Sequence, residues 1–135
     1  MVLLAKIALK IQTFLVNLSL CFAVPPVISS FAFGGPIMSG EDTTLMCDVS
    51  KGDDPLTISW SFHGENVSGS SMGLSTFKIG RRTSLLKIES IIPGHSGEYT
   101  CTARNEAGIA NHTASLIVHG IHLPKFSSFL DASLK

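Results

Sequence analysis

Two short patterns in the chain have spacings that elsewhere support covalent chemistry. Gly69-Ser70-Ser71-Met72-Gly73 fits G-x-S-x-G, which works when a strand-to-helix turn lifts a serine hydroxyl above an α/β sheet. Ser75-x-x-Lys78 fits the serine–lysine pair of lactamase-type enzymes, which also needs Ser-Asp-Asn and Lys-Thr-Gly elsewhere. Both fail on their surroundings. The first lies in a Ser/Gly loop of a short chain without helical patterning, and the second lacks both companion motifs. There is no glycine-rich phosphate loop, and no histidine stands at a motif-supported distance from a serine or cysteine. His119 and His122 form a close pair, but no cysteine or carboxylate joins them at ligand spacing and Cys-x-x-Cys is missing. No catalytic residue, metal or cofactor is therefore expected.

The three cysteines carry a different chemistry. Met1 to Ala23 has Lys6 and Lys10 as its only charges, then a mostly apolar run from Ile11 to Val24 that passes small residues at Cys21 and Ala23. This is the layout of a secretory leader: basic start, apolar middle, small-residue cleavage site. A retained membrane anchor is the rival, but fourteen apolar-biased residues broken by Asn17 rise only about 21 Å as a helix, against a hydrocarbon core of about 30 Å. Cys21 would leave with a leader at 1–23. Cys47 and Cys101 remain, an even pair in an oxidising compartment, and read as a disulfide. Closing a loop of that length stabilises a fold by roughly 4 kcal/mol on the chain-entropy estimate.

Short strands must hold that pair in place. From Pro25 to Gly120 apolar residues alternate with period two: Leu45, Cys47, Val49; Ile58, Trp60, Phe62; Leu86, Ile88; Tyr99, Cys101, Ala103; Ala114, Leu116, Val118. Turn signals at Gly34-Gly35-Pro36, Gly52-Asp53-Asp54-Pro55, Gly64-Glu65-Asn66, Pro93-Gly94 and Asn105 to Gly108 separate them. About seven strands with one apolar face each predict an all-β, two-sheet antiparallel sandwich.

Cys47 and Trp60 lie thirteen residues apart, and Cys101 follows in Gly97-Glu98-Tyr99-Thr100-Cys101, with Leu86-x-Ile88-x-x-Ile91 before it. An inter-sheet disulfide covered by an indole, with a tyrosine turning its hydroxyl back to the corner before the second cysteine strand, is an immunoglobulin arrangement. In these residues the chain resembles the immunoglobulin superfamily, and Ala103-Arg104-Asn105-Glu106-Ala107-Gly108 looks like the last turn of an intermediate-set domain. Pro25-Pro26 to Phe31-Ala32-Phe33-Gly34, Lys51-Gly52-Asp53, Arg82-Thr83-Ser84-Leu85-Leu86 and His95-Ser96-Gly97 are most similar to the arthropod Down syndrome cell adhesion molecule (Dscam) family, particularly its seventh, variable immunoglobulin domain. His95 stands where the general immunoglobulin pattern has an aspartate paired to an arginine. That salt bridge is not expected, and His95 reads as a partly exposed corner residue.

Two sequons, Asn66-Val67-Ser68 and Asn111-His112-Thr113, are candidate N-glycosylation sites in a secreted chain. Asn66 falls in a turn, and Asn111 has outward parity against Ala114, Leu116 and Val118. Strand parity also nominates an interface: Thr44, Met46, Asp48, Thr76, Lys78, Leu85, Lys87 and Glu89 read as outward on the sheet that holds Cys47. Singly exposed apolar residues such as Met46 and Leu85 need no explanation. The Dscam resemblance raises the interface reading, because it implies homophilic recognition through an exposed sheet face.

Composition bounds the partner. The 135 residues carry ten Lys/Arg against ten Asp/Glu, are 44% hydrophobic and only 15% charged. Such a chain is neither disordered nor built for nucleic acid, and its length supports one core. Without Lys6 and Lys10 the remaining eight Lys/Arg face ten acids, a net charge of −2. The expected organisation is a leader at 1–23, an immunoglobulin-like domain at 25–120, and a linker or truncated tail at 121–135. The expected function is cell adhesion or recognition outside the cell, as a secreted chain or on the plasma membrane through a downstream anchor. The partner is a second copy of the chain, with no nucleic acid or small-molecule substrate. The alternative is a secreted binder of a heterologous ligand, such as a pathogen surface or a soluble protein.

Overall fold

Every period-two segment becomes a strand, because only a strand sends alternate side chains to opposite faces. In the computed structural model, which describes residues 1–18 and 22–120, ten strands follow a helix α1 (Val2–Leu18). They are β1 (Val27–Ile28), β2 (Ile37–Met38), β3 (Thr43–Lys51), β4 (Thr57–Phe62) and β5 (Glu65–Asn66), then β6 (Leu74–Ile79), β7 (Thr83–Ile88), β8 (Gly97–Asn105), β9 (Gly108–Leu116) and β10 (Val118–His119). One sheet has the order β1-β3-β7-β6 and the other β5-β4-β8-β9. β10 continues beyond β9 and pairs in parallel with β2, Val118 opposite Ile37. The first segment of the domain thus starts in one sheet and ends beside the other. Cys21 and the 121–135 tail, including His122, lie outside the described residues.

The core fills from the inner faces of both sheets. Leu45, Cys47 and Val49 of β3, Leu86 and Ile88 of β7, Trp60 of β4 and Tyr99, Cys101 and Ala103 of β8 are all buried. Cys47 and Cys101 are joined across the sheets. Trp60 sits opposite Cys101 in the β4–β8 register, and its indole N–H donates to the Ser84 hydroxyl at 3.1 Å. Ser84 in turn lies opposite Cys47. The polar end of the tryptophan is therefore satisfied inside an apolar layer, which a buried donor requires. Phe31 and Phe33, on the segment that crosses between sheets, close the core with ring centroids 5.4 Å from Trp60 and 5.6 Å from Tyr99.

The corner before β8 has two anchors. Tyr99 donates its hydroxyl to the His95 carbonyl at 2.7 Å, the corner bond anticipated from its position two residues before Cys101. His95 itself corrects the expectation of a partly exposed residue, being only 2% exposed. Its Nδ1 accepts from the Ile92 N–H at 3.1 Å, and its Nε2 donates to the Met72 carbonyl at 2.7 Å. A neutral imidazole with the proton on Nε2 satisfies both partners, and the ring ties the corner to the loop before β6. Among the described residues the ion pairs are Arg81–Asp54 and Lys87–Glu89, neither at this corner. Gly97 opens β8 at φ +150°, a conformation that favours glycine, and a Cβ there would also have to displace the His63 imidazole.

Burial pushes the Tyr99 phenol well above its ordinary value, whereas in the unfolded chain it ionises near about 10. Folding holds the phenol neutral, so its contribution is intact below that pH and is lost progressively as pH rises from there toward the higher value of the folded state. Tyr99 is the sole tyrosine, so tyrosinate absorbance at 295 nm reads it directly. The absorbance is expected to stay flat past pH 10 and to rise only together with unfolding. A smooth rise near pH 10 in the folded protein would contradict the buried hydroxyl.

Candidate interface and sequon faces

On the outer face of the first sheet, strand register sets residues in rows, because directly paired residues of antiparallel strands share a face. Thr44, Lys87 and Ser75 form one row, Met46, Leu85 and Phe77 the next, and Asp48, Thr83 and Ile79 the third. Met46, Phe77 and Ile79 are each more than half exposed, and Leu85 is partly so. The middle row is thus apolar across three strands. Glu89 follows on the same side, and the Lys87 ammonium bonds to its carboxylate, which raises the Lys87 pKa. Asp48 is held from two sides: the Thr83 hydroxyl donates to Oδ1 at 2.8 Å and the Ser29 hydroxyl to Oδ2 at 3.5 Å.

Two nominated residues do not belong there. Thr76 lies opposite Leu86 and Lys78 opposite Ser84, and Leu86 and Ser84 face the core. The outward positions of β6 are Ser75, Phe77 and Ile79, so sequence parity was one residue out on this strand, which is enough to exchange its faces. The physical reason is that β6 is the edge of its sheet. Beyond Leu74 its inward side is no longer covered, so Thr76 and Lys78 are exposed although they point to the core side. Phe77 and Ile79 were missed for that reason; the buried Leu74, in phase with Thr76 and Lys78, is the signal that identifies the correct face.

The second sheet shows a different outer face. Asn66, Ser61, Thr100 and Thr113 form one row; Ser59, Thr102 and Asn111 the next. Asn66 is therefore a strand residue rather than a turn residue, and both sequon asparagines are exposed on the same polar face. The Thr100 and Thr113 hydroxyls bond at 2.7 Å. An open cleft of about 240 Å³ borders this face, with Asn66, Ser68, Phe62, Val67 and Leu74 among its lining.

The patterns that suggested covalent chemistry have other duties. Ser71 is exposed in the loop before β6, and the nearby His95 spends its Nε2 proton on the Met72 carbonyl. Ser75 and Lys78 fall on opposite faces of β6. No group of three His, Cys, Asp or Glu able to hold a metal occurs among the described residues.

A two-sheet sandwich with this disulfide, indole and tyrosine corner is an immunoglobulin domain, and the family model for the immunoglobulin domain matches residues 25–105. The chain belongs to that family, and its fold is the non-enzymatic one of that family. Among curated proteins it is 40% identical over 95 residues to the cell adhesion molecule Dscam2 of Drosophila melanogaster, covering 70% of this chain and 4% of that one. To the human cell adhesion molecule DSCAM it is 42% identical over 96 residues, covering 70% and 5%. Among solved structures the Dscam1 Ig7 domain, isoform 5, matches with a TM-score of 0.69 at 36% identity, covering 71% of this chain and 98% of that one. The N-terminal eight immunoglobulin domains of DSCAM isoform 1.30.30 match with a TM-score of 0.68 at 42% identity, covering 73% and 13%. The domain is of the kind found in Dscam cell adhesion molecules, and it spans about one twentieth of those curated relatives.

The face assignment has a direct test in neighbouring residues. Phe77→Lys, on the outer row, is expected to cost under about 1 kcal/mol of stability. Leu86→Ala, on the core side of the adjacent strand, is expected to cost about 2–5 kcal/mol. Urea unfolding of the oxidised protein measures both, and similar losses at the two sites would refute the assignment.

Proposed function

We propose that this chain acts outside the cell as a recognition domain that binds a second copy of itself through the β1-β3-β7-β6 face. The carrying observation is the apolar row Met46–Leu85–Phe77 across three strands, with Met46 and Phe77 more than half exposed and Leu85 partly so. A two-fold axis along that row would lay Leu85 over Leu85. It would also bring the Thr44–Lys87–Ser75 row of each copy toward the Asp48–Thr83–Ile79 row of the other, an isologous contact with an apolar centre and polar flanks. The adhesion role of the Dscam relatives supports the same reading.

Secretion fits the N-terminal segment. α1 has 17 residues, about 26 Å of helix, and Val2, Leu3, Leu4 and Leu9 are exposed on it. No helix among the described residues is long and apolar enough to cross a membrane. The basic start, apolar middle and small residues at Cys21 and Ala23 support residues 1–23 acting as a leader removed on export, and export brings Asn66 and Asn111 to the glycosylation machinery. Glycans on both would cover the second sheet and leave the apolar row as the open face.

Sedimentation equilibrium on the oxidised 25–120 domain tests the binding. A concentration-dependent dimer is expected, lost in Leu85→Lys and in Phe77→Lys but retained in Thr76→Glu, which lies on the opposite side of β6. A monomer at every concentration, or a dimer indifferent to both lysines, would move the assignment to a heterologous ligand. For the sequons, the protein secreted from eukaryotic cells is expected to lose one glycan's mass in Asn66→Gln and one in Asn111→Gln, read by intact mass before and after enzymatic deglycosylation.

A further inference from the structure

Where the leader meets the domain, three groups converge on Val24. Its N–H donates to Asp53 Oδ2 at 2.8 Å. Its carbonyl accepts from the Asn105 side-chain amide at 2.7 Å and from the Asp53 N–H at 3.1 Å. Asn105 is itself fixed, because its Oδ1 accepts from the Ala107 and Gly108 N–H groups at 2.9 and 3.1 Å and so caps the turn between β8 and β9. Its amide also reaches the Asp53 carbonyl at 3.1 Å, tying this turn to the one after β3. Pro26 is buried next to Val24. It lies so close to Gly52 that a Cβ there, at φ +128°, would come within 2.9 Å of its Cα. The Val24 nitrogen is thus held in place by two turns of the domain.

We infer that Asp53 and Asn105 form a docking site for the chain's own processed N-terminus. Hydrolysis of the Ala23–Val24 peptide bond leaves a carboxylate on the released leader and an α-ammonium on Val24. That ammonium stands where the amide N–H stood, against the Asp53 carboxylate. A bond from a neutral amide donor to the carboxylate becomes one between two opposite charges, with Coulomb attraction added to the hydrogen bond, while the carbonyl clamp by Asn105 is unchanged. Capture of a terminal amine by a preformed polar cradle is an established recognition mode. Removal of the leader would in this way strengthen the attachment of the first strand.

The inference rests on residues 1–23 being a cleaved leader, and its test separates the two. Val24–Lys135 is prepared with a native Val24 amine from a fusion that leaves no extra residue, and compared with the same protein carrying Ala23. Each is also made with Asp53→Asn. The native amine is expected to raise the melting temperature by about 1–5 °C, the range of a solvent-exposed ion pair in a domain of this size. The gain should vanish in Asp53→Asn, and the α-amine should react faster with acetic anhydride in that variant. Equal melting temperatures for the two N-termini, or a gain that survives Asp53→Asn, would overturn the docking. N-terminal sequencing of the exported protein reports separately on cleavage: any other first residue would sink the leader boundary without touching the docking result.

Discussion

The covalent tie between Cys47 and Cys101 is the constraint on which the rest of the domain depends. Both sulfurs are fully buried, so each must come from the inward phase of a strand, and that fixes the phase of β3 and β8 along their whole lengths. The phase of β3 passes through its register to β7, and that of β8 to β4 and β9. Trp60 and Ser84 then stand opposite the two half-cystines, and their hydrogen bond spans the same gap. Shifting any of these strands by one residue would bury its polar set and expose its apolar set, so the bridge and the pattern select the same register.

Once the inner faces are fixed, the outer faces follow, and they differ in chemistry. One carries Met46, Leu85 and Phe77 in line; the other carries Ser59, Ser61, Thr100, Thr102 and two sequon asparagines. The contrast is confined to positions that contribute nothing to the core. The same framework could therefore carry other outer residues without refolding, since fold and recognition occupy alternate positions of the same strands.

Much of this was legible before any coordinates. Strands flanked by a neighbour on both sides, β3, β4, β7 and β8, show clean alternation, and the disulfide, the indole and the tyrosine corner were readable from spacing. Legibility failed where covering fails. On β6 the apolar residues Phe77 and Ile79 face solvent, so hydrophobicity no longer marks the inside, and Thr76 and Lys78 were placed on the wrong face. The two-residue pairings β2–β10 and β4–β5 are too short to produce a period. His95 was misread for another reason: its burial depends on the Met72 carbonyl and the Ile92 amide, partners that no spacing rule supplies. The seat of Val24 was equally hidden, because it is built from two turns brought together only by the closed sandwich.

The crossing of the first segment from one sheet to the other has a mechanical meaning. β2 near one end of the domain and β10 near the other run parallel as neighbours, and the Ser39 N–H adds a bond to the His119 carbonyl at 3.0 Å. Tension applied to the two ends of the domain draws these strands in opposite directions along their length. Their cross-strand bonds are then loaded in shear, together, rather than opened one after another. A domain tethered at both ends between two surfaces would meet pulling forces with its terminal strands already arranged to share the load.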